Sequence, residues 1–466
     1  MAVPHFSDLS AVERAAALAD PGSLHLIAAD PQTSVVTARA RLADRPLLLA
    51  LTDGRVRGGT IGLLEARHLS EIVALAERRR ETLVVAWDSG GVRVQEGPAA
   101  LGAASALGVR LTRLALAGVR VASVVSGTRG CFGAPAVIAA AGHALLLVRG
   151  ASWGLTGPRL LEDGAAHAEA ARTVMSATAR LRARHATAVV DDAAPAVRAA
   201  LLAALTAPLV RRGIAATLAH GVGVTNTLLA QLHPPEAPAA ALAARQRDFF
   251  AYSFRGQWRA TAPSLRLGLV HAAWGELRGT RTLAIIVGPE RSPHGIGVAD
   301  AHAVLAAVAE AVATAPGVPI VTFLFCRGHA SDLRQERAGL PRALAECLRG
   351  LTAARLAGHP LLCVLGGGAY GAAYLAIAAP SHRVLAIQGT TVAPMAPRVL
   401  AAFQELREVR GTAVAPDDLA ALIPEIRIVE SVVRLPRALG DELARARAEV
   451  SGSRPRRFAL AAPRGA

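Results

Sequence analysis

Residues 120–148 read RVASVVSGTRGCFGAPAVIAAAGHALLLV, and residues 360–387 read PLLCVLGGGAYGAAYLAIAAPSHRVLAI. Each stretch opens on a short aliphatic run, passes through a Gly-rich turn, continues as an Ala-rich helix and closes on a second aliphatic run. Two parallel strands joined by a helical crossover need that order. The aliphatic runs show no polar alternation, so the strands are expected to lie in a sheet covered on both faces. By length alone the acid- and arginine-free stretches 131–148 and 356–382 are long enough to cross a membrane. Their interior Gly, Pro and His residues favour the strand–turn–helix–strand reading, so no membrane association is expected.

The two stretches belong to a longer repeat. IGLLEARH at 61–68 corresponds to IGVADAH at 296–302, the strand ends DSGGVRVQE and CRGHASDLRQE correspond, FGA at 132–134 matches YGA at 370–372, and GPRLL at 157–161 matches APRVL at 396–400. The matches keep one order, at offsets between 235 and 240 residues, with Gln95 set against Gln335. In each copy the periodicity predicts helices at 65–79 and 299–312, strands at 82–87 and 318–325, second helices at 98–117 and 339–356, then strands at 120–125 and 360–365 and third strands at 144–148 and 383–387. Strands alternating with helices over 466 residues give an α/β protein of two tandem domains. The expected division is 1–235, a linker at 236–250 within the Pro- and Ala-rich joint, 251–455, and a loose tail at 456–466.

Composition removes several chemistries. The chain has no lysine, so its 51 basic residues are all arginine. That excludes a Walker-type phosphate loop, a Schiff-base or pyridoxal-phosphate enzyme and biotin carried on this chain. Cys131, Cys326, Cys347 and Cys363 form no CxxC pair and no HExxH occurs among the 14 histidines, so no metal site is expected. Unpaired thiols and a start, MAVPHFSDLS, without a secretory signal suit a cytoplasmic location. The net charge is +16, yet the arginines are dispersed and only 3% of residues are aromatic, which argues against nucleic acid and leaves an acidic carrier protein or a phosphate-bearing thioester as partner.

A strand that runs into a Gly-rich turn and a helix directs backbone N–H groups at one point. Two such turns side by side form an oxyanion hole, which stabilises charge developing on a carbonyl oxygen. The first repeat offers Gly90, Gly91, Phe132 and Gly133; the second offers Gly328, Gly367, Gly368, Ala369, Tyr370 and Gly371. Tight turns and close packing are the other use of these glycines. The string GGGAYG also has the G-x-G-x-x-G spacing of dinucleotide sites, but Gln388 and Gly389 stand where an acidic ribose ligand is required. Arg93 is a candidate clamp for a carboxylate or phosphate, or else a structural partner of Glu96. Tyr370 is a candidate proton donor, or an aromatic packed under the turn.

At these residues the chain resembles a known family. DSGGVRVQEG and RGCFGAPAVIAAAGHALLLVRGASWGLTGPRLLE are similar to the β-type carboxyltransferases of the acetyl-CoA carboxylase group, and more closely to the β subunit of biotin-independent malonate decarboxylase. ADAHAVLAAVAEAV, HASDLRQERAGLPRAL and LGGGAYGAAYLAIAAPSHRVLAIQGTTVAPM resemble the γ subunit of that decarboxylase. The resemblance implies two tandem crotonase-like (ββα-spiral) carboxyltransferase-type domains, fused from β and γ subunits. It implies decarboxylation of a malonyl thioester, held on the phosphopantetheine-type, CoA-like arm of an acyl carrier protein, with no covalently bound cofactor on this chain. The catalytic residues would be Gly90, Gly91, Phe132, Gly133, Gly368, Tyr370 and Gly371, with Arg93, Gly328, Gly367 and Ala369 binding substrate. An acyl carrier protein subunit and an acyl-carrier transferase subunit would be partners, and a homo-oligomer is a further expectation. The sequence departs from the family at Ala134-Pro135, where a second glycine is usual, and at Cys326-Arg327-Gly328. A carboxyltransferase component of a biotin-dependent acyl-CoA carboxylase, or a carrier-docking scaffold, would share most of these features.

Overall fold

The structure is a computed structural model. It describes all residues except 1–3, 159, 162–167, 210–212, 233–257, 262–264, 289–294, 327, 397–398, 400–418, 421–422, 424–425 and 453–466. The expected linker at 236–250 and tail at 456–466 lie outside the described residues.

Two sheets carry the fold. The first holds β1 (His25–Ala29), β2 (Val35–Leu42), β3 (Arg45–Thr52), β4 (Thr82–Trp87), β5 (Val121–Val125), β6 (Ala144–Val148) and β7 (Ala188–Val190), side by side in chain order. Its first two pairings are antiparallel and the rest parallel. The second repeats the plan with β8 (Trp258–Ala260), β9 (Leu265–Leu267), β10 (Val270–Leu277), β11 (Thr280–Val287), β12 (Ile320–Leu324), β13 (Leu361–Leu365), β15 (Arg383–Ile387) and β17 (Ile426–Val429). Again β10 meets β11 antiparallel, and β11, β12, β13, β15 and β17 run parallel. A short pair, β14 (Gly368–Tyr370) with β16 (Thr391–Ala393), stands apart. Strands β5, β6, β12 and β13 are buried along their whole length, as runs without polar alternation demand. The architecture is α/β with two tandem halves of one plan, and the helices expected from periodicity are found at Leu63–Arg79, Gly97–Leu116, Val298–Thr314 and Leu340–Leu356.

The repeat extends to single hydrogen bonds. Ile61 N–H donates to Gly91 O at 2.9 Å, and Ile296 N–H to Gly328 O at 2.9 Å. Gly62 N–H donates to the Glu65 carboxylate, and Gly297 N–H to the Asp300 carboxylate, closing the same helix start in both copies. Val121 N–H donates to His143 Nδ1 and Leu361 N–H to His382 Nδ1. One alignment shifts by a residue: Leu63 N–H binds Glu96, and Val298 N–H binds Gln335, so Gln335 corresponds to Glu96 and not to Gln95.

The halves share one hydrophobic core. Helix Gly97–Leu116 packs on the π-helical turn Tyr374–Ala378 of the second half, and helix Leu340–Leu356 packs on Ala134–Ala140 of the first. Gly108 makes the first contact possible, because a Cβ there would lie 2.8 Å from Leu375 Cδ1. Helix Ile214–Leu229 precedes the second half in sequence but packs on its helices Val298–Thr314 and Leu340–Leu356. Among the described residues the segment Val94–Leu116 is long and apolar enough to cross a membrane, and most of it is buried in this shared core. Stretches 131–148 and 356–382 break into turn, helix and strand, as their Gly and Pro residues require.

Candidate active site at the glycine turns

In each half the turn after the second parallel-type strand meets the turn after the third. A Cβ on Gly133 would lie 3.7 Å from Gly91 Cα, and a Cβ on Gly328 would lie 3.2 Å from Tyr370 Cβ. Gly133 (φ +63°) and Gly328 (φ +95°) occupy left-handed backbone that glycine adopts without strain. The structure therefore brings Gly91 to Gly133 and Gly328 to Tyr370, as the paired turns predicted.

The donors differ from the expected ones. Gly90 N–H is held by Gly58 O at 2.9 Å, Phe132 N–H by Ser89 O at 3.1 Å and Gly133 N–H by Leu155 O at 3.0 Å. Gly91 N–H meets the Ser89 hydroxyl at 3.3 Å, a weak contact. Gly90, Phe132 and Gly133 are thus corrected from oxyanion donors to supports, because β-type pairing of the turns with their neighbours uses these amides. The N–H groups of Ala134 and, in the second half, of Gly328 and Ala372 have no partner among the described residues. Ala134 and Ala372 are buried at the starts of their helices, one residue beyond the glycines. Pro135 follows Ala134 and has no N–H, so Ala134 supplies the amide that the missing second glycine would carry. Ala372 has no special side chain, and sequence reasoning passed over it. Only the position just past the Gly marks it.

Gly368, Ala369 and Tyr370 form β14 and pair with β16, and Gly367 O accepts from Thr391 N–H at 2.7 Å. These residues build the turn; Gly368 and Ala369 are corrected from ligand contacts to ladder residues. The Tyr370 hydroxyl lies 2.6 Å from Thr391 Oγ1 and its ring covers Gly368, where a Cβ would fall 2.4 Å from the ring. The phenol is thereby held away from a free proton-donor role. Gly371 (φ +50°) turns the chain into the helix beneath Pro394 O. Arg93 is corrected to a structural cation. Its guanidinium donates to buried Glu65 at 2.6 Å, half-buried Glu96 at 2.8 Å and Thr60 O at 2.9 Å, and these acceptors fill its planar fork.

The first-half and second-half turns meet through the loop after β6. Leu155 O receives Gly133 N–H, while Leu155 N–H and Thr156 N–H donate to the Glu336 carboxylate of the second half at 2.7 and 2.9 Å. Arg180 completes the cluster, donating to Glu336 at 2.7 Å and to Trp153 O at 2.9 Å, with both ionic side chains essentially inaccessible. Thr156 Oγ1 also lies 3.3 Å from His329 Nε2. Burial raises the thiols of Cys326 and Cys363 to about 12, so neither acts as a thiolate. Among the described residues no cluster of His, Cys, Asp and Glu is placed to hold a metal ion.

Comparison with known proteins agrees with this plan. Residues 13–179 match the carboxyl transferase domain family, and residues 291–466 match the family described as malonate decarboxylase gamma subunit. The first half is thus similar to carboxyl transferase domains and the second to malonate decarboxylase gamma subunits. The chain is 26% identical to an acetyl-coenzyme A carboxylase carboxyl transferase subunits beta/alpha protein of Parafrankia sp., over 92% of this chain and 78% of the relative. It is 25% identical to the malonyl-S-ACP:biotin-protein carboxyltransferase MADC of Malonomonas rubra, over 28% of this chain and 45% of the relative. A solved Pseudomonas malonate decarboxylase hetero-tetramer in complex with malonate is 27% identical, over 52% of this chain and 96% of that one, with a TM-score of 0.42. The chain spans about half the length of the acetyl-coenzyme A carboxylase beta subunits it matches.

Proposed function

We propose that this protein decarboxylates a malonyl thioester, carried on the phosphopantetheine-type arm of an acyl carrier protein, to the acetyl thioester and CO2. The observation that carries the reading is the set of unpartnered amides at Ala134, Gly328 and Ala372, each beside a turn from the other arm of its pair. Loss of CO2 breaks the bond between the α-carbon and the carboxyl carbon, the electron pair passes into an enolate whose negative oxygen needs donors, and the α-carbon then takes a proton from water to give the acetyl thioester. One preorganised donor contributes about 10²–10³ in rate. The chemistry asks for no metal and no amine nucleophile, which suits a chain without lysine. The γ-subunit match over the second half favours decarboxylation, and the carrier protein and its transferase would be separate partners.

A second reading is supported by the carboxyl transferase match and by MADC, whose name describes transfer to a biotin protein. The deciding experiment supplies malonyl-loaded carrier protein without biotin and measures CO2 and acetyl thioester. Turnover without biotin supports decarboxylation. Turnover only with a biotinylated acceptor supports carboxyl transfer, and carrier binding with no turnover in either case leaves a scaffold.

A further inference from the structure

His329 stands at the point where the two halves meet. It follows Gly328, whose N–H is unpartnered, and its Cε1 lies 3.8 Å from where a Cβ on Gly371 would be. Its Nε2 reaches across to Thr156 Oγ1 of the first half at 3.3 Å, and Thr156 is fixed in turn by Glu336 through its backbone N–H. The other ring nitrogen, Nδ1, is buried and has no partner in the protein. The equivalent position in the first half is Val92, paired with Ile61 as His329 is with Ile296. The imidazole is thus a feature of one half, and packing of the repeat does not require it. A buried ring nitrogen left without a partner is destabilising unless something binds to it.

We infer that His329 is a catalytic residue of the second-half site, a neutral imidazole whose Nδ1–H donates a hydrogen bond to the thioester oxygen as it becomes the enolate oxygen. This rests on the proposed decarboxylation and names one of its donors. Thr156 sets the tautomer: its hydroxyl donates to Nε2, which leaves the single proton on Nδ1. Burial pushes the ring's pKa down to about 4, so it stays neutral at pH 7 and its two nitrogens remain distinct. The ring transfers no proton in the decarboxylation step. The carbon–carbon electron pair moves to the oxygen, CO2 leaves, and Nδ1–H joins Gly328 N–H and Ala372 N–H around the new charge.

The test uses the full chain labelled with ¹⁵N-histidine and acetoacetyl-pantetheine as probe. This thioester is not a decarboxylation substrate, and its enolate has its own near-ultraviolet band. Wild type is expected to show the Nδ1–H tautomer at His329 and a strong enolate band on binding. His329→Ala should weaken the band at least tenfold and lower kcat on malonyl-loaded carrier about 10²-fold, with KM changed less than threefold. His329→Asn, whose amide N–H₂ falls near Nδ1, should recover at least tenfold of the lost kcat, and Thr156→Val should shift the tautomer. An Nε2–H tautomer in wild type, or an enolate band unaltered in a folded His329→Ala protein, overturns the inference while leaving the oxyanion site standing. No enolate band in wild type removes the oxyanion reading itself, and the inference with it.

Discussion

The Glu336 carboxylate accepts three donors from the other half: Leu155 N–H, Thr156 N–H and the guanidinium of Arg180, which also binds the backbone oxygen of residue 336. Arg180 lies over the Trp153 ring at 5.3 Å, and both charges are shut off from solvent. Glu336→Gln keeps the shape and removes the charge, leaving a buried guanidinium with neutral acceptors only. Removing one partner of a buried pair costs about 3–5 kcal/mol. The melting temperature should therefore fall by on the order of 3–5 °C. Arg180→Met alone should cost a similar amount, because the carboxylate then keeps only the two amides. The double variant removes both charges and should be less destabilised than the sum of the singles by about 2 kcal/mol or more. Differential scanning calorimetry of the four proteins measures the cycle. A Glu336→Gln protein within about 0.5 kcal/mol of wild type, or strictly additive singles, would show that solvent reaches this pair and that it does not lock the halves.

Ala134→Pro deletes the unpartnered amide at a first helical position that tolerates proline; kcat should drop about 10²–10³-fold with little change in melting temperature, and normal turnover would take Ala134 out of the site. Arg93→Met should destabilise the fold by about 3 kcal/mol through the stranded Glu65 while leaving KM within twofold, and a KM rise with unchanged stability would restore Arg93 as a substrate clamp. Tyr370→Phe should lose about 1 kcal/mol of stability with the Thr391 bond and keep kcat within threefold, whereas a hundredfold loss would mark the phenol as proton donor. Burial holds His185 at about 3 and His143, His329 and His382 at about 4, all below the ordinary histidine value, so the folded chain resists their protonation. Their contribution is therefore complete above pH ~6.5 and is lost as pH falls, with a limiting slope of about 5.4 kcal/mol per unit. Buried Asp300, raised to about 6, acts in the opposite sense with one proton, its contribution being lost as pH rises. The net acid destabilisation between pH 6 and 4 should approach about three quarters of that slope, and melting temperatures that stay flat over that range would contradict it.

The sequence by itself determined the repeat, the parallel strands and the paired glycine turns. Each of these follows from short-range chemistry: aliphatic runs without alternation must be covered on both faces, and Gly133 and Gly328 need backbone that only glycine adopts easily. Tertiary structure alone decided which amides stay free. Whether an N–H is a donor to ligand depends on what lies opposite it, and for Gly90, Phe132 and Gly133 the acceptors are Gly58, Ser89 and Leu155, separated from them by loops whose course no local pattern fixes. The same holds for Arg93, whose two carboxylate partners stand 28 and 3 residues away, and for the Thr156–His329 contact, which spans 173 residues. Local propensity writes the turns. Only the packing of one half on the other determines which of their polar atoms remain for a substrate.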